Sequence, residues 1–488
     1  MEIVGTLKAQ RSALCERVGQ RRSLLSSLRK MPPEILCHIF ILVHDSSDYS
    51  LELSRHRRTR SNASYIVSLS QVSSHWRQMT LSLPELWSSI AVDVGFVREE
   101  DGSIIDTHLR NAGTHPLKLR IQRDIVRYSY PSVDALWMIV KDLHRCEKLD
   151  LVNIDGKVLD KAFQERQLPR LSFPHLRSYG DASSRLGYVS EFSRWIWEAL
   201  CNAPKLVRLY TSYFHDPATS GLPYHQLTTV HIISMTPCQI LNVVRATSSL
   251  EALVIIPFRS DPEPELSAML PVVCSSLQTI SINIAGYLQH RSNSQFQSLL
   301  ALLRMPALKR LEVQVLLPSP LSFFPMIQYS SGTLQEIVWN SDSESLFESE
   351  SLQTLYTDIV QSLPNLRSFR AFNEGTTALE HVLRLIRMLT ITSSQPVLAP
   401  QLTTLHLAES SAQVTVDYTI EFLDMIESRD SLGERVGVAR LVDAKLEYRG
   451  IETGSASEGG YSVEERIEKL AKRGVRCELQ ECESNMYV

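Results

Sequence analysis

The chain of 488 residues predicts an α+β protein, with a small N-terminal helical module followed by an irregular α/β solenoid of strand-helix units. Three observations carry that expectation. The stretch Met31-Pro32-Pro33-Glu34 is a helix-start signal that opens a short apolar-periodic segment. A phrase of the form Leu-x-x-apolar-x-apolar recurs through most of the remaining chain. Apolar residues make up 43% and charged residues 21%, which supplies a sizeable core and excludes a disordered chain.

Charge and apolar runs narrow the function classes. Lys plus Arg (50) nearly balances Asp plus Glu (54), a formal net charge of -4, so no chain-wide basic surface draws the protein to nucleic acid or anionic lipid. No stretch approaches the roughly 18 uninterrupted apolar residues of a membrane span, and the charged N-terminus does not read as a signal peptide. Neither nucleic acid nor membrane is an expected partner. The eight cysteines, Cys15, Cys37, Cys146, Cys201, Cys238, Cys274, Cys477 and Cys482, form no C-x-x-C pair. They read as free thiols of a reducing compartment, cytoplasmic or nuclear.

Residues 1–30 are expected to form an amphipathic helix, with Val4, Leu7, Leu14, Val18, Leu25 and Leu28 at steps of three, four or seven and Arg11 and Arg21 interrupting the seam. Two readings stand for it: packing on its own chain, or pairing with a partner helix. From Pro32 a helix starts, because prolines are tolerated where the N–H groups lack intrahelical acceptors and Glu34 meets the positive end of the dipole. Ile35, Leu36, Ile39, Phe40 and Val43 give it a wide apolar face. Residues 44–64 are polar and aperiodic and read as a long loop, whose basic run at 55–60 is either a solvated loop or a localisation patch. Ile66, Leu69, Val72, Trp76 and Met79 then mark a second amphipathic helix, closed by Leu83-Pro84-Glu85-Leu86-Trp87.

Taken together, residues 31–90 resemble an F-box, and specifically the F-box-like proteins abundant in mushroom-forming fungi. Met31-Pro32-Pro33-Glu34-Ile35-Leu36-Cys37-His38-Ile39-Phe40 follows the family's opening Leu-Pro-x-Glu-Ile/Leu-Leu-x-x-Ile-Phe. Leu69, Val72, Trp76, Arg77, Leu86 and Trp87 follow its second half. The departures are the 44–64 insert and Ser73-Ser74-His75. The resemblance implies a three-helix module that docks on the Skp adaptor of a cullin-RING ubiquitin ligase. It also implies Pro32, Ile35, Leu36, Ile39 and Phe40 as adaptor contacts, with Val72 and Trp76 building or extending the surface. For Trp76 and Trp87 a place in the module's own core is an equal reading.

The repeated phrase begins at Leu149, Leu206, Leu227, Leu250, Leu277, Leu308, Leu334, Leu366 and Leu402, with a weaker copy at Leu176. Alternation in its last four residues is a strand signal. The intervals, 21 residues from Leu206 to Leu227 and 32 from Leu334 to Leu366, leave room for one helix or crossover per unit, such as 296–303 and 379–388. Residues 115–488 therefore resemble a degenerate leucine-rich-repeat array. The family's asparagine is missing: eight positions beyond Leu206, Leu227, Leu308 and Leu402 stand Phe214, Met235, Leu316 and Ser410. An irregular arc is expected. Phrase positions 3 and 5 point away from the core onto its concave face: Arg208, Tyr210, Thr229, His231, Thr279, Ser281, Arg310, Glu312, Glu336, Arg370 and His406. Ordinary strand surface and target binding are both readings of these residues. At the end, Ser462 with Glu465 forms a capping box, Gly474 stops a capping helix, and a strand over 475–479 closes the array. Loops are expected at 341–351, acidic and open to phosphorylation, and at 454–460.

No phosphate loop, dinucleotide fingerprint, nucleophile elbow, zinc-protease helix or EF-hand loop occurs, and the 14 histidines are dispersed. Neither enzyme, metal nor cofactor is expected. The sequence reads as a substrate-recognition subunit, bound by its F-box to a Skp-type adaptor and through it to a cullin-RING ligase, with the arc holding an unknown protein target. The alternatives are a repeat scaffold, or an F-box protein with a role outside ubiquitination.

Overall fold

A computed structural model of the chain describes residues 11, 14, 31–54, 64–123, 133–154, 159–160, 163, 168, 170–182, 191–212, 217–256, 270–283, 293–315, 324–341, 360–373, 379–392, 397–431, 437–452 and 463–481. The readings made for the rest of the N-terminal helix, the basic run at 55–60, the loops at 342–351 and 454–460 and the Ser462 cap lie outside these. The chain divides into two compact units. The first holds residues 1–176, 183–199 and 203–205, and the second residues 177–182, 200–202 and 206–488.

Unit 1 opens with α1 (Pro33–Asp45), which starts on Pro32 with Glu34 in its first turn. The next segment departs from the expected loop. After α1 the chain forms β1 (Leu51–Leu53), which pairs in parallel with β2 (Ser89–Asp93). Ser50 secures this start, its hydroxyl donating to the Ser89 carbonyl at 2.7 Å. A strand of three residues is too short to show alternation, and its partner lies nearly forty residues away, so no local pattern announces it. The second expected helix is also two helices, α2 (Tyr65–Val72) and α3 (Ser74–Leu81). They are broken at Ser73, which turns extended (φ -159°, ψ 165°) and caps α3 by accepting from the Trp76 amide at 3.1 Å. Competition of the serine side chain with the helical backbone explains the break.

Beyond the helices come α4 (Gly102–Asn111), β3 (Leu117–Gln122), α5 (Val133–Lys141) and β4 (Cys146–Val152). The four strands lie side by side in chain order, all parallel. The phrase placed at Leu149 begins three residues earlier. Cys146 occupies its first, buried position, and Leu149 and Leu151 follow as the inward residues. Trp87-Ser88-Ser89-Ile90-Ala91-Val92 is a further copy, and its Trp87, Ile90 and Val92 are all buried. Helix α6 (Glu191–Leu200) contributes Phe192, stacked on Phe163 at 5.9 Å.

Unit 2 repeats one element many times. Its strands are β5 (Ser178–Ala182), β6 (Arg208–Thr211), β7 (Thr229–Ile233), β8 (Ala252–Ile256), the short β9 (Val272–Val273), β10 (Thr279–Asn283), the short β11 (Leu303–Arg304), β12 (Arg310–Val315), β13 (Glu336–Ser341), β14 (Ser368–Asn373), β15 (Thr404–Thr415), β16 (Asp443–Glu452) and β17 (Arg476–Glu481). Apart from β9 and β11, which pair with each other, they run parallel and adjacent in chain order. Helices α7 (Pro237–Ala246), α8 (Asn293–Leu302), α9 (Phe324–Tyr329), α10 (Leu379–Leu389), α11 (Val416–Ser431) and α12 (Val463–Lys472) fill the crossovers. Such alternation is what parallel pairing requires. Thr236 and Gln239 form a reciprocal capping box at the start of α7, and Gly474 follows α12 with φ +81°, a conformation that favours glycine.

The phrase explains the stacking. Its first leucines, from Leu206 to Leu402 and also Leu441, are each at most 1% exposed. The second-position amides form a ladder, each donating to the second-position carbonyl of the preceding unit: Glu251 to Thr228, Gln278 to Glu251, Lys309 to Gln278, Gln335 to Lys309, Arg367 to Gln335 and Thr403 to Arg367, all at 2.8 Å. The fourth and sixth positions fall in two buried rows, one of them running Leu209, Val230, Leu253, Ile280, Leu311, Ile337, Phe369 and Leu405. Burying each such side chain contributes about 1.5–3 kcal/mol. The copy at Leu441 (Leu-Val-Asp-Ala-Lys-Leu), which carries β16, goes uncounted in the sequence because alanine stands at its fourth position.

Candidate functional site

Two surfaces carry the residues singled out by the sequence. The first is the three-helix module of unit 1. Leu36, Phe40 and His44 recur every four residues and face inward. The Phe40 ring meets Trp76 edge-on at 5.0 Å, and His44 Nδ1 is hydrogen-bonded to the Tyr65 hydroxyl at 2.7 Å, tying α1 to α2 and α3. Burial lowers the pKa of His44 and raises that of Tyr65, which keeps both neutral in this contact.

This arrangement corrects part of the expected contact set. Leu36 and Phe40 are each only 1% exposed and belong to the module's own core, so they have no free surface to offer. Ile35, Ile39, Leu42 and Val43 occupy the neighbouring stripe of α1 and are exposed, Ile35 at 49% and Leu42 at 67%. Pro32 is exposed at the helix start, Val72 is 60% exposed at the end of α2, and Leu81 is exposed at the end of α3. Trp76 is half-buried. Trp87 lies in the core, where its indole N–H donates to the Thr80 carbonyl at 2.8 Å. The module thus shows water a set of large aliphatic side chains over a packed aromatic interior. That is the composition of a protein-docking face.

The core of the module is joined to α4 through His108, which is fully buried. Its ring packs edge-on against Trp87 at 5.0 Å, and its Nε2 is hydrogen-bonded to Ser64 Oγ at 3.0 Å. Ser64 in turn caps α2, accepting from the Val67 amide. Burial pulls the His108 pKa down to about 4.

The second surface is the sheet face of unit 2 opposite the leucines. In-register pairing sorts its side chains into rows. One row contains Arg208, Thr229, Ala252, Thr279, Arg310, Glu336, Ser368, Thr404, Asp443 and Arg476, and the next contains Tyr210, His231, Val254, Ser281, Glu312, Val338, Arg370, His406, Lys445 and Glu478. All eleven residues expected at this surface fall in these rows. Tyr210 and His231 touch, with ring centroids 5.3 Å apart, and Arg208 is exposed beside them. Arg310 reaches Glu336 at 3.2 Å and Glu312 at 3.5 Å, while His406 Nε2 meets Asp443 at 2.9 Å. Asp443 and Lys445 were missed in the sequence because they belong to the uncounted copy at Leu441, where they stand at positions 3 and 5.

Among the described residues no group of three or more His, Cys, Asp or Glu side chains could hold a metal ion, and no helix is long and apolar enough to cross a membrane. Among the described residues Cys37, Cys146, Cys201, Cys238, Cys274 and Cys477 stand outside any disulfide, and burial raises the pKa of Cys274 and Cys477 to about 11.

No curated protein matches the chain. Residues 28–93 match the family model described as F-box-like, a segment that takes in α1 to α3 together with β1 and β2.

Proposed function

We propose that this protein is the substrate-recognition subunit of a Skp-cullin-F-box ubiquitin ligase. The observation that carries the reading is the exposed aliphatic stripe of α1, which lies within the residues matched to the F-box-like family, domains that generally dock on Skp-type adaptors. Pro32, Ile35, Ile39 and Val72 make the direct adaptor contacts, extended by Leu42, Val43 and Leu81. Leu36, Phe40 and Trp76 hold that stripe in place from beneath. The array at 115–488 is a degenerate leucine-rich-repeat domain of the kind seen with fungal F-box-like proteins, and the outer rows of its sheet hold a target protein. The chain itself is no enzyme. It supplies proximity, bringing the target to the ubiquitin-charged partner of the complex, in the cytoplasm or the nucleus.

Co-purification with a Skp-type adaptor tests the reading. The wild-type chain forms a stable complex. Ile35→Asp combined with Ile39→Asp weakens it by more than about thirtyfold, the equivalent of about 2 kcal/mol lost at an interface anchor. The circular dichroism spectrum stays unchanged, because both side chains already face water. A folded wild-type chain that leaves the adaptor unbound refutes the assignment.

A further inference from the structure

The charged side chains in the outer rows of β12–β17 are nearly all paired. Arg310 is held by Glu336 and Glu312, His406 by Asp443, Lys445 by Glu447 at 2.5 Å, and Arg476 by Glu478 at 2.6 Å. Arg370 stands apart. It lies between Val338 and His406 in the same row, yet among the described residues no carboxylate engages it, since Glu336 on the adjacent strand and Asp443 two strands away are already taken. A second, independent feature lies two residues before it on the same strand face. Ser368 Oγ and Arg370 Nε are both shielded and both lack a hydrogen-bond partner among the described residues, whereas nearly all shielded polar groups in proteins have one. Arg370 as a whole is only half-buried, so a ligand can reach it. Beyond it in the row stand His406 and Lys445, at steps of about 4.8 Å across the strands.

Resting on the target-binding role assigned above to this face, we infer that its target is an extended segment bearing an anionic side chain, which docks on Arg370. The guanidinium offers a planar fork of donors to an oxyanion. His406 and Lys445, the next residues of the row, are each already held by a carboxylate, which leaves Arg370 as the anchor. A glutamate or a phosphorylated serine satisfies the same chemistry.

Four immobilised pools of short degenerate peptides, each with one fixed central residue (phosphoserine, glutamate, serine or lysine), test this against the full-length chain. The phosphoserine pool, or both anionic pools, is retained at least about tenfold over the serine and lysine pools, a difference of about 1.4 kcal/mol. Retention of both anionic pools shows that a carboxylate suffices, and retention of phosphoserine alone assigns the site to phosphate. Arg370→Gln removes the preference and Lys472→Gln, at an exposed position of α12 away from the sheet face, leaves it intact. Equal retention of the serine or lysine pool, or an unchanged preference in Arg370→Gln, overturns the inference. Ser281→Trp, which sets a bulky ring in the same row, separates the two levels of the argument. If it abolishes a retention that shows no anionic preference, the target-binding face stands and the Arg370 inference falls. If no pool is retained by the wild-type chain, both fall.

Discussion

Acid should loosen unit 1 through one side chain, and the size of the effect follows from the burial of His108. Its ordinary pKa of 6.5 is lowered to about 4, because the charged ring would sit desolvated between Trp87 and Ser64. In the unfolded chain the same histidine protonates near 6.5. Below that pH the unfolded state takes up a proton that the folded state refuses, so stability falls as pH drops. Its contribution is complete above about pH 6.5 and declines by about 1.4 kcal/mol per unit. It is lost by pH 4, where the folded state protonates as well. The full swing is about 3 kcal/mol, and between pH 7.5 and 5.5 it is about 1.4 kcal/mol. Urea unfolding at those two pH values, for wild type and for His108→Gln, measures it. His44 and His231, whose pKa values burial also lowers, are common to both proteins and cancel in the comparison. Wild type should lose about 1.4 kcal/mol more than the variant on acidification. Unfolding midpoints that shift in parallel would show that His108 is not held neutral in the core, and the account of the α2–α4 contact would be wrong.

Two further substitutions test local arguments. Arg429, 1% exposed, donates to the carbonyls of Leu389, Leu398 and Ala399, the first of them at the C-terminal end of α10. Arg429→Met leaves these acceptors unpaired and should cost about 3 kcal/mol, read as a lower urea midpoint for unit 2, and an unchanged midpoint would contradict the structure. Ser73→Ala removes the cap of α3 and should destabilise unit 1 by about 1 kcal/mol while leaving adaptor binding by the folded chain intact. A stabilised Ser73→Ala protein, with α2 and α3 fused, would instead show that the break has another cause.

Much of this molecule is written in short-range pattern. Period-two alternation placed the strands β6, β7, β8, β10 and β12–β15, and because parallel pairing is in register, phrase positions 3 and 5 became the outer rows. The Pro-Pro-Glu start and the Trp76 and Trp87 spacing located the F-box-like helices for a similarly local reason, since caps and helical periodicity act within a few residues.

What needed the tertiary structure depends on which neighbours arrive. Ile35 and Leu36 are adjacent, apolar and equally plausible as contacts, and only the arrival of Trp76 and α3 decides that Phe40 and Leu36 face inward while Ile35 and Ile39 face water. Strand β1 exists because a partner strand supplies hydrogen bonds from far along the chain, and a polar segment gives no sign of that. The pairing of Arg310 with Glu336, of His406 with Asp443, and the lack of a carboxylate at Arg370 follow from cross-strand register over 26 to 37 residues of sequence. The sequence by itself determined which residues lie on the outer face, because side-chain direction is set by the local backbone period. The tertiary structure alone decided which of their charges are already neutralised, because Coulomb partners are chosen by distance in space and not along the chain.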